Sequence, residues 1–249
     1  MRFFSIDERP DLGQRYWDEA EEIWPSYMKF VYHDPVCEEY WPRLETEFAA
    51  FQFVVYDDAE DRFLAVGNTI PFAWSGRDEN LPEGVPAVLI RAFAEKERGI
   101  AATSLCALLA GVQPDAKATG LSPRLLEHMK EIARRHGLSS LVAPVRPNAK
   151  ERYPLTQMER YAEWRRADGL MFDPWLRTHE RVGGRLAGIA TAGNVYRGTV
   201  AEWEEWSGLA LPESGEYVVR GALNPVLIER ERDQGVLTEP NVWMVHAVP

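Results

Sequence analysis

The chain has 249 residues, 45% of them hydrophobic, and 39 acidic against 28 basic side chains give a formal charge of −11. That acidity argues against a nucleic-acid partner, which needs a basic field, and no stretch reaches the roughly eighteen apolar residues of a membrane span. Two cysteines make no disulfide framework, no His or Cys pair has zinc spacing and the start lacks a signal-peptide pattern, so a metal-free cytoplasmic protein is expected.

Residues 3–6 read as a short apolar strand, and residues 11–24 carry Leu12, Tyr16, Ala20 and Ile23 at helical spacing. A second helix is expected over 38–49, with Tyr40, Trp41, Leu44 and Phe48. Two strands follow, 51–56 and 63–74, joined by an acidic turn from Asp57 to Asp61. Residues 75–102 hold a turn and then a helix through Val88, Leu89, Ala92 and Phe93. Residues 105–112 form a continuous apolar run, the pattern of a strand buried on both faces, in which Cys106 reads as a small hydrophobe.

Residues 112–126 are the most informative stretch. A loop rich in small residues leads into a helix that Ser122 can cap, with Pro123 at its first position. Leu125, Leu126, Met129, Ile132 and Ala133 recur at helical spacing, and Arg134, Arg135 and Gly137 close the helix. Unpaired N–H groups at that helix start, beside Ala116, Ala118 and Gly120, suit a phosphate or pyrophosphate. An ordinary strand-to-helix turn has the same outline.

Beyond the helix, residues 141–145 read as the next parallel strand. Residues 148–173 hold Lys150, Tyr153, Met158, Tyr161 and Trp164, either as packing or as one wall of an acceptor pocket. Asp173 caps a helix that Pro174 opens and Gly183-Gly184 ends. Thr199 and Glu202 form a capping box ahead of Trp203 and Trp206, which share one face. Strands are expected over 216–219 and 225–229, and 239–246 reads as an edge strand with Pro240 at its entry. An exposed edge there would offer a route to a homodimer.

Val112, Pro114, Lys117, Gly120, Leu121, Leu125 and Leu126 fall on the acyl-CoA pyrophosphate loop, Val-x-Pro-x-x-Arg-Gly-x-Gly-Leu, of the GCN5-related N-acetyltransferase (GNAT) superfamily. The chain resembles that family over residues 1–192, with insertions at 75–102 and 148–173. Ala118 stands where the first glycine is usual, and Asp115 where Gln or Arg often opens the loop. The resemblance implies an α/β fold with a mixed, splayed central sheet flanked by helices. Residues 193–249 would add a helix and strands that complete or extend that sheet.

It further implies acetyl-CoA as co-substrate, its pantetheine held by backbone at Ala110 and Val112. Gln113, Lys117, Ala118, Thr119, Gly120, Leu121 and Ser122 would grip the pyrophosphate. The acyl group would pass by direct attack to a primary amine of a small molecule or peptide. His179 takes the position of a tyrosine that often protonates the departing thiolate, and Gly184 that of a phenylalanine. A histidine can serve as that acid; otherwise His179 is a surface or interface residue on a short helix. Glu95, Glu97, Asp57, Asp58 and Glu163 are equally eligible as general base, since residues 105–112 carry no glutamate. Those departures keep two alternatives open: a GNAT-fold acyl-CoA-binding or scaffold protein without activity, and a nucleotide-binding α/β protein.

Overall fold

The computed structural model describes all residues except 20–22, and the backbone alone at 117–119. Strand β1 (Arg2–Ser5) leads into helix α1 (Pro10–Glu19), shorter than its apolar pattern. Trp24 precedes Pro25, whose ring disfavours helical geometry one residue back, and Ser26–Tyr32 is a 3-10 turn. Ala20, an expected contact of that helix, lies outside the described residues. The helix expected over 38–49 divides into α2 (Pro35–Tyr40), a 3-10 turn containing Pro42 and α3 (Leu44–Glu47). Pro42 has no N–H to give to the helical ladder.

The hairpin of β2 (Gln52–Asp57) and β3 (Arg62–Phe72) follows, then α4 (Val85–Glu97), β4 (Ser104–Val112), α5 (Leu121–Arg135) and β5 (Ser140–Val145). Of the helix-like run in the second insertion only α6 (Met158–Ala162) is α-helical. Its aromatics Tyr153, Tyr161, Trp164 and Phe172 pack on one another with ring centres 4.9 to 6.1 Å apart. Helix α7 (Pro174–Arg181) starts as expected: the Asp173 carboxylate accepts from Trp175 N and Leu176 N, and also from Ala149 N and the Tyr161 hydroxyl.

After α7 come β6 (Arg185–Gly198), α8 (Val200–Ser207) with its Thr199–Glu202 capping box, β7 (Gly215–Tyr217), β8 (Val226–Glu229) and β9 (Gln234–Ala247). Strand β6 has no strong pattern of its own, being rich in Gly and Ala. It forms because β9 lies alongside, and a β-carbon at Gly193 would sit 2.4 Å from the Asn241 side chain.

The nine strands make one sheet, ordered β1-β2-β3-β4-β5-β9-β8-β7, with β6 also paired to β9. Only β4 and β5 run parallel. Contrary to the sequence expectation, the last strand is interior: β5 and β8 share one of its edges and β6 runs along the other. It therefore has no free edge for a second copy to join.

On one face of the sheet α5 buries Leu121, Leu125, Leu126, Met129, Ile132 and Ala133 against Phe53, Val55, Leu105 and Leu141. Each large side chain so buried contributes about 1.5–3 kcal/mol. The opposite face carries two separate clusters, one around α1 with Tyr16, Val54 and Val66, the other around α3 and α4 with Leu44, Ile70, Phe72 and Leu89. No helix among the described residues is long and apolar enough to cross a membrane.

Beyond the end of β5, Arg146 reaches the Glu239 carboxylate of β9 through two hydrogen bonds, of 2.7 and 2.9 Å. Glu239 is 1% exposed and also accepts from Leu223 N, which ties the C-terminal strands to the core. Removing one partner of such a pair strands the other charge. Glu239→Ala is expected to cost about 2–4 kcal/mol, read as a lower urea midpoint at unchanged m-value, with Glu239→Gln costing less.

Candidate active site

Strands β4 and β5 are registered at two pairs only, Leu105 with Leu141 and Cys106 with Val142. Past that point β4 continues along β3 as far as Val112, while β5 continues along β9 as far as Val145. The register between β3 and β4 slips at Leu108, which has no opposite residue. Such a bulge bends its strand and increases the local twist, here where β4 leaves β5. The Ala107–Val112 edge facing β5 is therefore without a strand partner, and Leu108, Leu109 and Ala110 are half-buried between the clusters. Ala110 and Val112, expected along a pantetheine arm, lie on this edge.

Where β4 ends, Gln113 N donates to Leu64 O, and residues Pro114–Thr119 close into a 3-10 turn. Part of the loop's amide set is thus used internally, Ala116 N donating to Gln113 O, rather than standing open throughout. Ser122 is not the cap of α5, and Pro123 is its third residue rather than its first. The helix begins at Leu121, and its N-cap is Gly120, in a left-handed conformation (φ 71°) with no side-chain bond to the first turn. Glycine reaches that conformation without cost, and nothing lies within 4 Å of where its β-carbon would be. The first-turn N–H groups of Leu121 and Ser122 have no intrahelical acceptor by geometry, at the positive end of a fifteen-residue helix.

Asp115 is ion-paired with Arg62 at the start of β3, so its carboxylate is compensated beside the uncapped helix start. Arg62 carries no motif that would reveal it, because only the β3–β4 pairing brings it across. The Lys117 ammonium, expected on the pyrophosphate, belongs to a side chain outside the described residues, as do the side chains of Ala118 and Thr119. Gln113 is buried, with its Oε1 lacking a partner among the described residues.

His179 has a different setting from the one implied by its place in the resembling pattern. It is 1% exposed, its Nδ1 lies 2.9 Å from Nε2 of His246 on β9, and the Trp175 ring meets it edge-on at 4.5 Å. Burial, then the neighbouring His246, push its pKa well below the usual histidine value; burial and Lys130 bring His246 down to about 4. Gly184 answers to the same pair: a β-carbon there would lie 2.6 Å from the His246 ring.

The acidic residues considered as bases do not converge. Glu95 binds Arg91 and Ala73 N, Asp58 binds Arg2, Asp57 lies near the N-terminus, and Glu97 and Glu163 are exposed. The sequence reading missed Lys150 as a buried cation: its Nζ donates to the carbonyls of Leu223 and Tyr153, and burial lowers its pKa to about 8.

No protein-family model matches the chain. It is 28% identical, over 267 aligned positions covering 96% of the chain and 91% of the relative, to the arginine N-acetyltransferase avaD of Aspergillus versicolor. Its fold is similar to that of the loading GNATL domain of CurA from Lyngbya majuscula (TM-score 0.59, 15% identity, 99% of this chain and 96% of that one). It is also similar to that of the GphF GNAT-like decarboxylase in complex with isobutyryl-CoA (TM-score 0.57, 17% identity, full coverage of both). The parted strands, the uncapped helix start behind them and a sequence relation running through nearly the whole length lead to one assignment: the chain has the fold of the GCN5-related N-acetyltransferases and is an N-acetyltransferase.

Proposed function

We propose that the chain transfers an acetyl group from acetyl-CoA to the primary amine of a small molecule, with arginine, the substrate named for the avaD relative, as the first acceptor to try. The observation that carries this reading is the parting of β4 from β5 directly ahead of the uncapped start of α5. Pantetheine would lie along the free edge of β4 at Ala110 and Val112, adding the strand that β5 does not supply. The amides of Gly120, Leu121 and Ser122 would take the pyrophosphate, aided by the helix dipole, with Gln113, Lys117, Ala118 and Thr119 completing the loop around it.

In that pose an unpaired N–H of β4 polarises the thioester carbonyl. The neutral amine attacks the carbonyl carbon, the C–S bond breaks, CoA departs as its thiolate, and the one proton lost by the attacking nitrogen passes through water to that sulfur. The protein's part is proximity and a fixed dipole. His179 enters this reading as a residue that positions α7 against β9. A ring 1% exposed, whose burial disfavours the charged form, is poorly placed to protonate a thiolate.

Calorimetric titration with acetyl-CoA and a free-thiol assay over an amine panel test the proposal. Absence of binding at millimolar ligand overturns it, and binding without turnover of any amine restores the inactive alternative. Ser122→Asp separates the pyrophosphate site from general stability. A carboxylate in the first helical turn stabilises the helix slightly but repels a diphosphate, so acetyl-CoA should bind at least about tenfold more weakly while the melting temperature holds or rises.

The two buried imidazoles set a pH dependence. Their folded pKa values lie below the unfolded value of about 6.5, so the unfolded chain binds more protons between pH 6.5 and about 4. Stability is complete above pH 6.5 and falls as the pH drops through that window, the His246 ring contributing on the order of 3 kcal/mol and His179 acting in the same direction. His246→Gln should flatten part of that slope in urea titrations, and His179→Asn should lower stability while leaving kcat within about threefold.

A further inference from the structure

On the sheet face away from α5, in the gap between the α1 cluster and the α3–α4 cluster, lies a cavity of 320 Å³ lined by Trp17, Trp41, Pro42, Glu45 and Asn68. Trp17 comes from α1 and Glu45 from α3, and the Trp17 indole N–H donates to Glu45 Oε1 at 2.5 Å. Asn68 lies on β3 opposite Leu109 of β4, next to the bulge at Leu108 where β4 leaves β5. The cavity therefore abuts the opening through which an acceptor would reach the thioester, from the face opposite α5.

Its polar groups share one sign. Glu45 forms no ion pair among the described residues, and no cationic side chain lines the cavity. Asn68 is 1% exposed, and its Oδ1 has no partner among the described residues. The orientation of that amide is set by its neighbour: Gln52 Nε2 donates to Phe48 O and Thr69 O, so Gln52 Oε1 faces Asn68 and takes its Nδ2 at 3.1 Å. The carbonyl oxygen is thus buried, without a donor among the described residues, in a side chain that lines the cavity, and such burial is costly. Two indole rings, one carboxylate and one unpaired carbonyl all call for a positively charged N–H donor.

We propose that this cavity holds a cationic group of the acceptor, a guanidinium or alkylammonium, that is not the reacting nitrogen. The inference rests on the acetyl-transfer reading above and adds the acceptor's charge to it. The reacting amine must arrive neutral, and a carboxylate beside it would hold it protonated. Glu45 therefore suits a second nitrogen, fixed in charge, at the far end of a diamine or guanidino amine. The carboxylate takes the charge, Asn68 Oδ1 takes an N–H, and the indoles of Trp17 and Trp41 flank it.

The test compares acceptors matched in shape and differing in charge, with acetyl-CoA as donor: L-arginine against L-citrulline, agmatine against N-carbamoylputrescine, and L-lysine against L-norleucine. The cationic member of at least one pair should have a kcat/KM at least about tenfold higher, carried by KM. Glu45→Gln keeps the volume and the bond from Trp17, and should bring that ratio towards one with acetyl-CoA affinity unchanged. Trp41→Leu should raise KM for the cationic acceptor about three- to tenfold. Acetyl-CoA binding and turnover with neutral amines as the best acceptors would overturn the inference and leave the acetyl-transfer reading standing. So would a ratio unaltered in a folded Glu45→Gln protein. Failure to bind acetyl-CoA at all would remove both.

Discussion

Strand β4 lies between two neighbours that pull in different directions. β3 holds it along its length, through a bulge at Leu108 that turns it, while β5 is committed by six registered pairs to β9. β4 and β5 therefore share two pairs and then separate. The free edge, the loop at its end and the access from both faces of the sheet all follow from that separation. Were β9 an edge strand, β5 would have less to hold it away from β4. The C-terminal residues thus belong to the machinery of the cleft, although they lie beyond the part of the chain that carries the loop motif.

Charge is arranged around the same opening. On the α5 side the uncapped helix start and the Arg62–Asp115 pair leave a site suited to anions despite an acidic loop residue. On the other side the cavity between the two Trp side chains offers only acceptors of positive charge. In the proposed reading, an anion-binding loop towards one face and a cation-accepting cavity on the other would keep a phosphate-bearing donor and a basic acceptor from exchanging places. The formal charge of −11 would weakly favour the approach of such a cationic acceptor.

The elements legible in sequence were those whose signal is local. Asp173 with Pro174, and Thr199 with Glu202, capped the helices they were expected to cap, because an N-cap bond spans only two or three residues. The apolar run at 105–112 was a strand for the same reason. The errors were also physical. Ser122 looked like a cap until Gly120, free to adopt a left-handed turn, started the helix two residues earlier. Pro42 broke a helix whose apolar spacing continued past it. Strand β6 left no trace because its small residues serve close packing against β9 rather than strand propensity.

The sequence by itself determined the order of strands, loop and long helix, and with it the family resemblance, since these depend on spacing within a few residues. What surrounds the site was decided only by tertiary structure. His179 meets His246 across 67 positions, Arg62 meets Asp115 across 53, and Asn68 meets Gln52 across 16 before facing Trp17 and Glu45 from other elements. Burial, pairing and an orphaned carbonyl are properties of what folds against a residue. No local pattern encodes which distant strand or helix that will be.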